Sequence, residues 1–328
     1  MRLVTLVAGG AGFVGSHLVD LLVEQGHAVV VADNLITGRA ENLSHHPADT
    51  LDVVTADVSE RLPETLTRHQ YHRIYHLASP ASPVDYARNP LETLHANSLG
   101  TEHLLGLARR DGARFLLAST SEVYGDAEVH PQPEDYWGHV NPIGPRSSYD
   151  EGKRYAEALT VNYGAVYSID FRIARIFNAY GPRMKAGDGR MVPSFCVQAL
   201  AGQPLTVFGD GSQTRSLCYV GDLIRGLTAL METDGASGQV VNVGSPDEHT
   251  VLEIAERIIQ LTGSVSAIEH RELPVDDPRR RRPVIEKART LLGWEPSTVL
   301  DDGLRATIEY FVGSTPPIVA DGAIHSGG

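Results

Sequence analysis

"LVTLVAGGAGFVGSHLVDLLVEQGHAVVVADN", residues 3–34, runs apolar to Ala8, breaks at glycines 9, 10, 12 and 15, and resumes as a second apolar run ending at Asp33. Between the breaks, Val14, Leu18, Leu21 and Leu22 recur at the spacing of one helical face, so the stretch predicts strand, glycine turn, helix, strand. Further β-like runs at 51–55, 73–78 and 114–118 alternate with helical patterning such as 90–110. Strands apolar on both faces, separated by helices, predict a parallel, doubly wound α/β sheet. After about residue 180 the texture changes to short strands ("LTVFG", "VVNVG") mixed with helices near 191–201, 221–232, 249–262 and 300–312. The expected organisation is a first unit over 1–180, to which some later segments return, and a smaller mixed α/β unit over 181–312. A loose tail is expected over 313–328, where periodicity is absent.

Composition narrows the functional classes. With 42% hydrophobic residues in 328, the chain can bury one large core or two moderate ones. A formal charge of −13 speaks against a nucleic-acid partner, which would call for a basic face. The cysteines, Cys196 and Cys218, sit in apolar surroundings without metal-ligand spacing and read as reduced core thiols. His45, His46, His76, His130 and His139 show no ligand spacing either, so no metal is expected. No basic and apolar leader precedes the first strand and no apolar run reaches spanning length, which gives the expectation of a cytoplasmic protein with no membrane partner.

The glycines at 9, 12 and 15 fall between the first strand and the first helix. There Gly9 permits the turn, Gly12 lets backbone approach a pyrophosphate at the helix N-terminus, and Gly15 allows the helix to pack closely. This is the dinucleotide fingerprint of a Rossmann sheet. Asp33 ends the second strand 18 residues beyond Gly15, where a carboxylate accepts ribose hydroxyls and repels a 2′-phosphate, so NAD is favoured over NADP. Neighbouring cofactor contacts are expected at Phe13 and Val14 in the turn, at Asn34, Thr37 and Gly38 after the second strand, and at Asp57 and Val58 after the third. Leu77, Ala78 and Ser79 after the fourth strand, and Asn97, complete the set.

"FLLASTSEVYG", residues 115–125, delivers Ser119, Thr120, Ser121 and Glu122 to the carboxyl end of a buried strand, the edge that faces the ligand crevice. In "RSSYDEGKRYAEAL", residues 146–159, Ser148 and Glu151 have capping-box spacing and predict a helix starting near Tyr149. Tyr149 and Lys153 then share one helical face, and of the twelve tyrosines only Tyr149 has a lysine four residues on. An ammonium beside a phenol lowers its pKa from about 10 and makes it a usable base.

These motifs together resemble the extended short-chain dehydrogenase/reductase family. Within it, "HLASPASP" (76–83), residues 119–154, "RIFNAYGPRM" (175–184), "GDGSQTRSLCYV" (209–220) and "DDPRRRRP" (276–283) resemble the UDP-glucuronate decarboxylases, or UDP-xylose synthases, over about residues 3–312. The resemblance implies an NAD-dependent lyase in which Tyr149 takes the C4-hydroxyl proton, Thr120 holds the developing oxyanion, and Lys153 binds the nicotinamide ribose. The resulting β-keto acid loses CO2, and hydride then returns to C4. Related sugar dehydratases carry Thr-Asp-Glu where this chain has Thr120-Ser121-Glu122, so the acid for a departing C6 hydroxyl is missing. The strand-end hydroxyls are expected to hold the C4 oxygen, and Glu122 to assist at C5 or to position the sugar. The resemblance further implies that Tyr86 and Ser121 touch the sugar, that Asn178 and Val192 line the diphosphate and uracil region, and that Arg215 and Arg281 supply positive charge. Arg281 is expected to be buried and the rest of the run 279–282 solvated. A homodimer through helices near 90–110 and 149–163 is also implied. His95 and Val284 depart from the decarboxylase pattern. A UDP-glucuronate 4-epimerase, which would keep the carboxyl carbon, is the nearest alternative, and a catalytically silent NAD-binding sensor is a more distant one.

Overall fold

The computed structural model describes residues 2–47, 50–272 and 280–314. Strands β1 (Val4–Ala8), β2 (Ala28–Asp33), β3 (Leu51–Thr55), β4 (Arg73–His76), β5 (Arg114–Thr120) and β6 (Phe171–Ile176) join a seventh, Gln239–Val243, in one sheet. Its order is 239–243, β6, β5, β4, β1, β2, β3, and every pairing is parallel. From β1 the chain winds outward to β2 and β3 and then crosses back to β4, so the direction of winding reverses between β1 and β4. The carboxyl ends of those two strands frame the crevice where such sheets bind ligands.

Both faces of the sheet are buried because successive strand residues point to opposite sides. In β1, Val7 packs into one core with Leu18, Val19, Leu223 and Leu227, while Leu6 and Ala8 pack into another with Leu104, Leu105 and Ala156. Helix α1 (Phe13–Glu24) contributes Gly15, Leu18, Val19 and Leu22, the i, i+3, i+4, i+7 stripe of an amphipathic helix. Leu18 is fully buried, so truncation to alanine would cost roughly 2–5 kcal/mol.

The division at residue 180 is crossed by later chain. Gln239–Val243 extends the large sheet beside β6, and the helix Val220–Glu232 packs in the same core as α1. The remaining later segments build a separate core around Tyr180, Met184, Phe195, Leu205, Ile254 and Leu304. The helix Leu300–Ser314 runs past residue 312, where the tail was expected to begin; the rest of the expected tail, 315–328, lies outside the described residues, as does Arg279.

The capping box expected at Ser148 and Glu151 is not formed. The helix Ser147–Tyr167 starts earlier, with Arg146 at its cap and no side-chain cap. The Tyr149 and Asp150 amides already donate to the Arg146 carbonyl, which places Ser148 inside the first turn, and Glu151 pairs with Arg154 instead. In the 90–110 region, Pro90–His95 passes through a wider π turn at Ala96–Gly100 into Thr101–Asp111. Such π turns mark functional positions more often than chance, and this one carries Asn97.

Candidate active site

The glycine turn shows which positions need the absence of a side chain. Gly9 has φ +81°, and a Cβ there would lie 2.6 Å from the Leu77 carbonyl carbon. A Cβ on Gly15 would come within 2.0 Å of the Gly9 carbonyl oxygen, so only glycine lets α1 pack against the turn. Gly12 differs: its Cβ would meet nothing closer than the Gly9 oxygen at 3.3 Å, and it would project into the crevice. That space is a cradle bounded by the N-terminal amides of α1, as a pyrophosphate requires.

The crevice is lined by Phe13, Val14, Asp33, Asn34, Thr37, Asp57, Val58, Leu77, Ala78 and Ser79. Gly38 and Asn97 are not among its lining residues but brace it. A Cβ on Gly38 would sit 2.7 Å from Asp33 Oδ1, and Asn97 Nδ2 donates to Ser79 Oγ at 2.9 Å. Asp33 accepts the Ala11 amide on Oδ2 and the Leu35 amide on Oδ1, each at 2.9 Å. Burial nevertheless pushes its carboxyl above the usual aspartate range, against those amides. Asn34 donates to Asp57, whose carboxyl the Ser59 hydroxyl and amide hold down against the effect of burial. Asn97 Oδ1 is buried without a partner, a free acceptor beside the crevice. The cradle, the strand-end carboxylate and this free acceptor fit a dinucleotide with unsubstituted ribose hydroxyls. Arg39, Arg183, Lys185 and Arg190 also line the crevice and were not read from the sequence: Arg183 lies in "RIFNAYGPRM" at a position given no role, and the other three lie outside the quoted motifs.

The side chains expected to react converge where β5 ends. Thr120 shares a hydrogen bond with the Tyr149 phenol and accepts the Glu122 amide at 3.2 Å. The expectation that the strand-end hydroxyls act together is corrected here. Ser119 Oγ donates to Glu157 Oε1 at 2.5 Å, and Ser121 Oγ accepts from Arg281 at 3.0 Å, leaving Thr120 alone at the phenol. Alternation along the strand sends neighbouring side chains to opposite faces.

The effect of Lys153 on Tyr149 is also corrected. Burial raises the phenol's pKa, against the Thr120 hydrogen bond. Lys153 Nζ donates to the Ala118 carbonyl at 2.9 Å and lies 5.9 Å from the Tyr149 ring centroid. Its own pKa is brought down to about 7 by burial, with Glu157 opposing. Desolvation of two groups in one dry pocket outweighs their mutual influence. Tyr86, 3% exposed, stacks on Tyr149 with centroids 5.3 Å apart and rings 7° from parallel.

Glu122 sits between two guanidinium groups, 2.6 Å from Arg146 and 3.0 Å from Arg281. Burial alone would raise its pKa; Arg281 and Arg146 override that and hold it at about 2. Arg281 is 2% exposed and stands beside Arg215 through the parallel pairing of Arg280–Arg281 with Thr214–Ser216. Arg280 is exposed as expected, whereas Arg282, expected to be solvated, is half-buried with its Nε buried. Arg146 and Asp150 are site residues the sequence reading missed, although both flank Tyr149. The Asp150 carboxyl is raised to about 7 by burial and by the charge of Glu122, and its Oδ1 is buried without a partner. Val192 packs its side chain into the apolar core of the smaller unit, so from the first turn of Met191–Leu200 it can offer a ligand only backbone. Asn178 is half-buried and its carbonyl accepts the Cys218 amide. The two cysteines are free and buried.

A parallel sheet with a glycine cradle at its winding reversal, and a Tyr-x-x-x-Lys helix against a threonine-ended strand, defines the extended short-chain dehydrogenases/reductases. The chain belongs to this family: the model described as GDP-mannose 4,6 dehydratase matches residues 6–307. Among curated relatives, it is 54% identical to "UDP-glucuronic acid decarboxylase 1" of Danio rerio over 93% of this chain and 72% of that protein. It is 52% identical to "UDP-glucuronic acid decarboxylase 3" of Arabidopsis thaliana over 93% of this chain and 88% of the other. Among solved structures, UDP-glucose 4-epimerase of Thermotoga maritima with UDP-glucose superposes with a TM-score of 0.87 at 31% identity, covering 95% of this chain and 99% of that one. UDP-glucuronic acid 4-epimerase of Bacillus cereus, in complex with UDP-glucuronic acid and NAD, gives 0.85 at 29% identity, with 95% and 99% covered.

Proposed function

We propose that the chain converts UDP-glucuronate to UDP-xylose and CO2, using NAD that ends each turnover as it began. The observation that carries this reading is the chemistry next to Thr120. Ser121 replaces an acid and is bonded to Arg281, and Glu122 is held ionised by two guanidinium groups. Such a site can oxidise C4 but has no acid at those positions to protonate a departing C6 hydroxyl. A substrate whose C6 is already a carboxylate needs none. The decarboxylase names of relatives at 52–54% identity support the same substrate.

Bound NAD+ supplies the two-electron acceptor and later donor at C4, and its positive charge favours the phenolate. The Tyr149 oxygen takes the C4-hydroxyl proton while Thr120 holds the same oxygen through its hydroxyl. Lys153 reaches the nicotinamide ribose. With C4 a ketone, the C5–C6 bond breaks, its electron pair enters the ketone as an enolate, and C6 leaves as CO2. The enolate oxygen stays against Thr120 and Tyr149, C5 takes a proton that ultimately comes from solvent, and Tyr149 returns its proton when C4 becomes an alcohol again. Glu122, held ionised by the two guanidinium groups and so without a proton to give, positions Arg146 and Arg281 around the sugar. Tyr86 covers the phenol, and Asn178, the Val192 backbone and Arg215 serve the nucleotide end.

The B. cereus 4-epimerase, similar over nearly the whole chain, favours a second reading in which the carboxyl carbon is kept. Mass spectrometry of the nucleotide product separates the two. With UDP-glucuronate and catalytic NAD+, the product should have lost one carboxyl carbon, with little lasting NADH absorbance. A six-carbon sugar product from folded, NAD-loaded protein overturns decarboxylation.

We also propose a homodimer. Leu91, Leu94 and Leu99 on one helical stretch, and Tyr155, Val161 and Val166 on the 147–167 helix, are exposed, which suits a bundle formed with a second copy. The proposed division of labour gives NAD to residues 1–180 with the returning strand and the nucleotide sugar to 181–312. No helix among the described residues is long and apolar enough to cross a membrane. The reduced, buried thiols support a cytoplasmic location.

A further inference from the structure

Away from the crevice, Asp20, His45 and His46 bring three ligand-type atoms within 4.8 Å of one another. Asp20 stands on α1, and the two histidines follow the short turn Ala40–Leu43. Both imidazoles direct Nε2 to the same carboxylate oxygen, at 2.9 Å for His45 and 2.8 Å for His46, with ring centroids 4.2 Å apart. The sequence showed no ligand spacing because two of the three atoms come from adjacent residues and the third from another element.

Each contact taken singly is an ordinary histidine–aspartate hydrogen bond. Their convergence on Asp20 Oδ1 creates something further, two nitrogens and one oxygen all within 4.8 Å of one another. A tetrahedral ion bonded at ~2.0–2.2 Å holds its ligand atoms roughly 3.3–3.6 Å apart, so the carboxylate oxygen, 2.8–2.9 Å from each nitrogen, would move outward by about half an ångström to admit it. The second carboxylate oxygen, Oδ2, is 2.7 Å from Arg183, which fixes the carboxylate's orientation as an outer partner does around bound metals. The guanidinium charge weakens cation binding, but it is attached to the oxygen facing away from the two imidazoles. His46 is largely covered while the His45 side chain is 48% exposed, which leaves access and a position for water.

We propose that Asp20, His45 and His46 form a site for one divalent transition metal ion of the zinc class, for which two imidazoles and a carboxylate are suitable donors. Coordination through Nε2 moves each donated ring proton to Nδ1, and the ion takes over the Oδ1 contact. The site joins the 40–47 segment to α1, so occupancy stabilises that edge of the sheet.

The test is titration of Zn2+ alone into the chelator-treated full chain, with bound metal counted after equilibrium dialysis. One ion per chain is expected, with a rise in melting temperature as Zn2+ increases. His45→Gln and His46→Gln should each weaken binding at least ~10-fold, the lower range seen even for losses of outer partners, and the double variant should not saturate. The double variant should keep metal-free turnover of UDP-glucuronate, which shows that it folds. Co2+ should give a visible d–d spectrum in the unaltered chain and lose it in the double variant, and imidazole NMR should show Zn2+ perturbing the His45 and His46 rings. Equal Zn2+ affinity in the double variant, perturbation of other histidines instead, or no saturable binding to the unaltered chain would each overturn the proposal.

Discussion

The rings of Tyr86 and Tyr149 stack 5.3 Å apart, nearly parallel, so the proposed base is roofed by a second phenol. Stacking of this kind excludes water and fixes the Tyr149 ring toward Thr120. Tyr149→Phe keeps the stack and removes only the oxygen. Turnover should fall by at least ~10²-fold with fold and NAD binding retained, as measured by steady-state kinetics and NAD titration. Near-unaltered turnover would remove Tyr149 from the mechanism.

Lys153 yields a prediction about stability as well as rate. Its folded pKa, about 7, lies below the ordinary lysine value of 10.5 because it is buried. Between those values the unfolded chain binds the extra proton, so this residue's contribution makes stability rise as pH increases from about 7 toward 10.5. Lys153→Met should flatten that rise in denaturant titrations across the window, while lowering both NAD occupancy and turnover. An unchanged pH slope would show that the ammonium is not desolvated as described.

Glu122 gives the opposite sign. Its carboxyl is depressed from 4.5 to about 2 by Arg281 and Arg146 in spite of burial, so its stabilisation is complete above pH 4.5 and lost as pH falls toward 2. Glu122→Gln should remove that part of the acid transition. Because it leaves two guanidinium groups without their shared anion, it should also cost about 3–5 kcal/mol at neutral pH. Chemical denaturation at pH 7 and pH 3 checks both, and a variant as stable as the parent at pH 7 contradicts the ion-pair account.

Asp33→Ala removes the carboxylate at the end of β2 and leaves the Ala11 and Leu35 amides without their acceptor. NAD should bind more weakly and the preference over NADP should narrow, since the repulsion of a 2′-phosphate is lost with the charge. Parallel titrations with the two cofactors measure the ratio. A ratio that stays the same assigns discrimination to other residues.

Much of the architecture was legible from short stretches. Strand, glycine turn and helix between residues 3 and 34 follow from local periodicity, and Gly15 is set by the Gly9 carbonyl within the same turn, whereas Gly9 is set by Leu77 and Ala78, far along the chain. Tyr149 and Lys153 could be paired because one helix sets their spacing. The pattern near Ser148 misplaced the helix start, since the Arg146 carbonyl captured the first amides before any side chain could cap them. Tertiary structure alone decided the rest. Arg281 reaches Ser121 across 160 residues, Gln239–Val243 returns to the large sheet, and Lys153 turns to the Ala118 carbonyl instead of the phenol. Periodicity fixes which face of a helix or strand is apolar, a matter of a few residues. Which charges share one dry pocket, and how far burial moves their proton affinities, depends on the packing of elements distant in the chain, as with Glu122 between two arginines and Asp20 beneath two histidines.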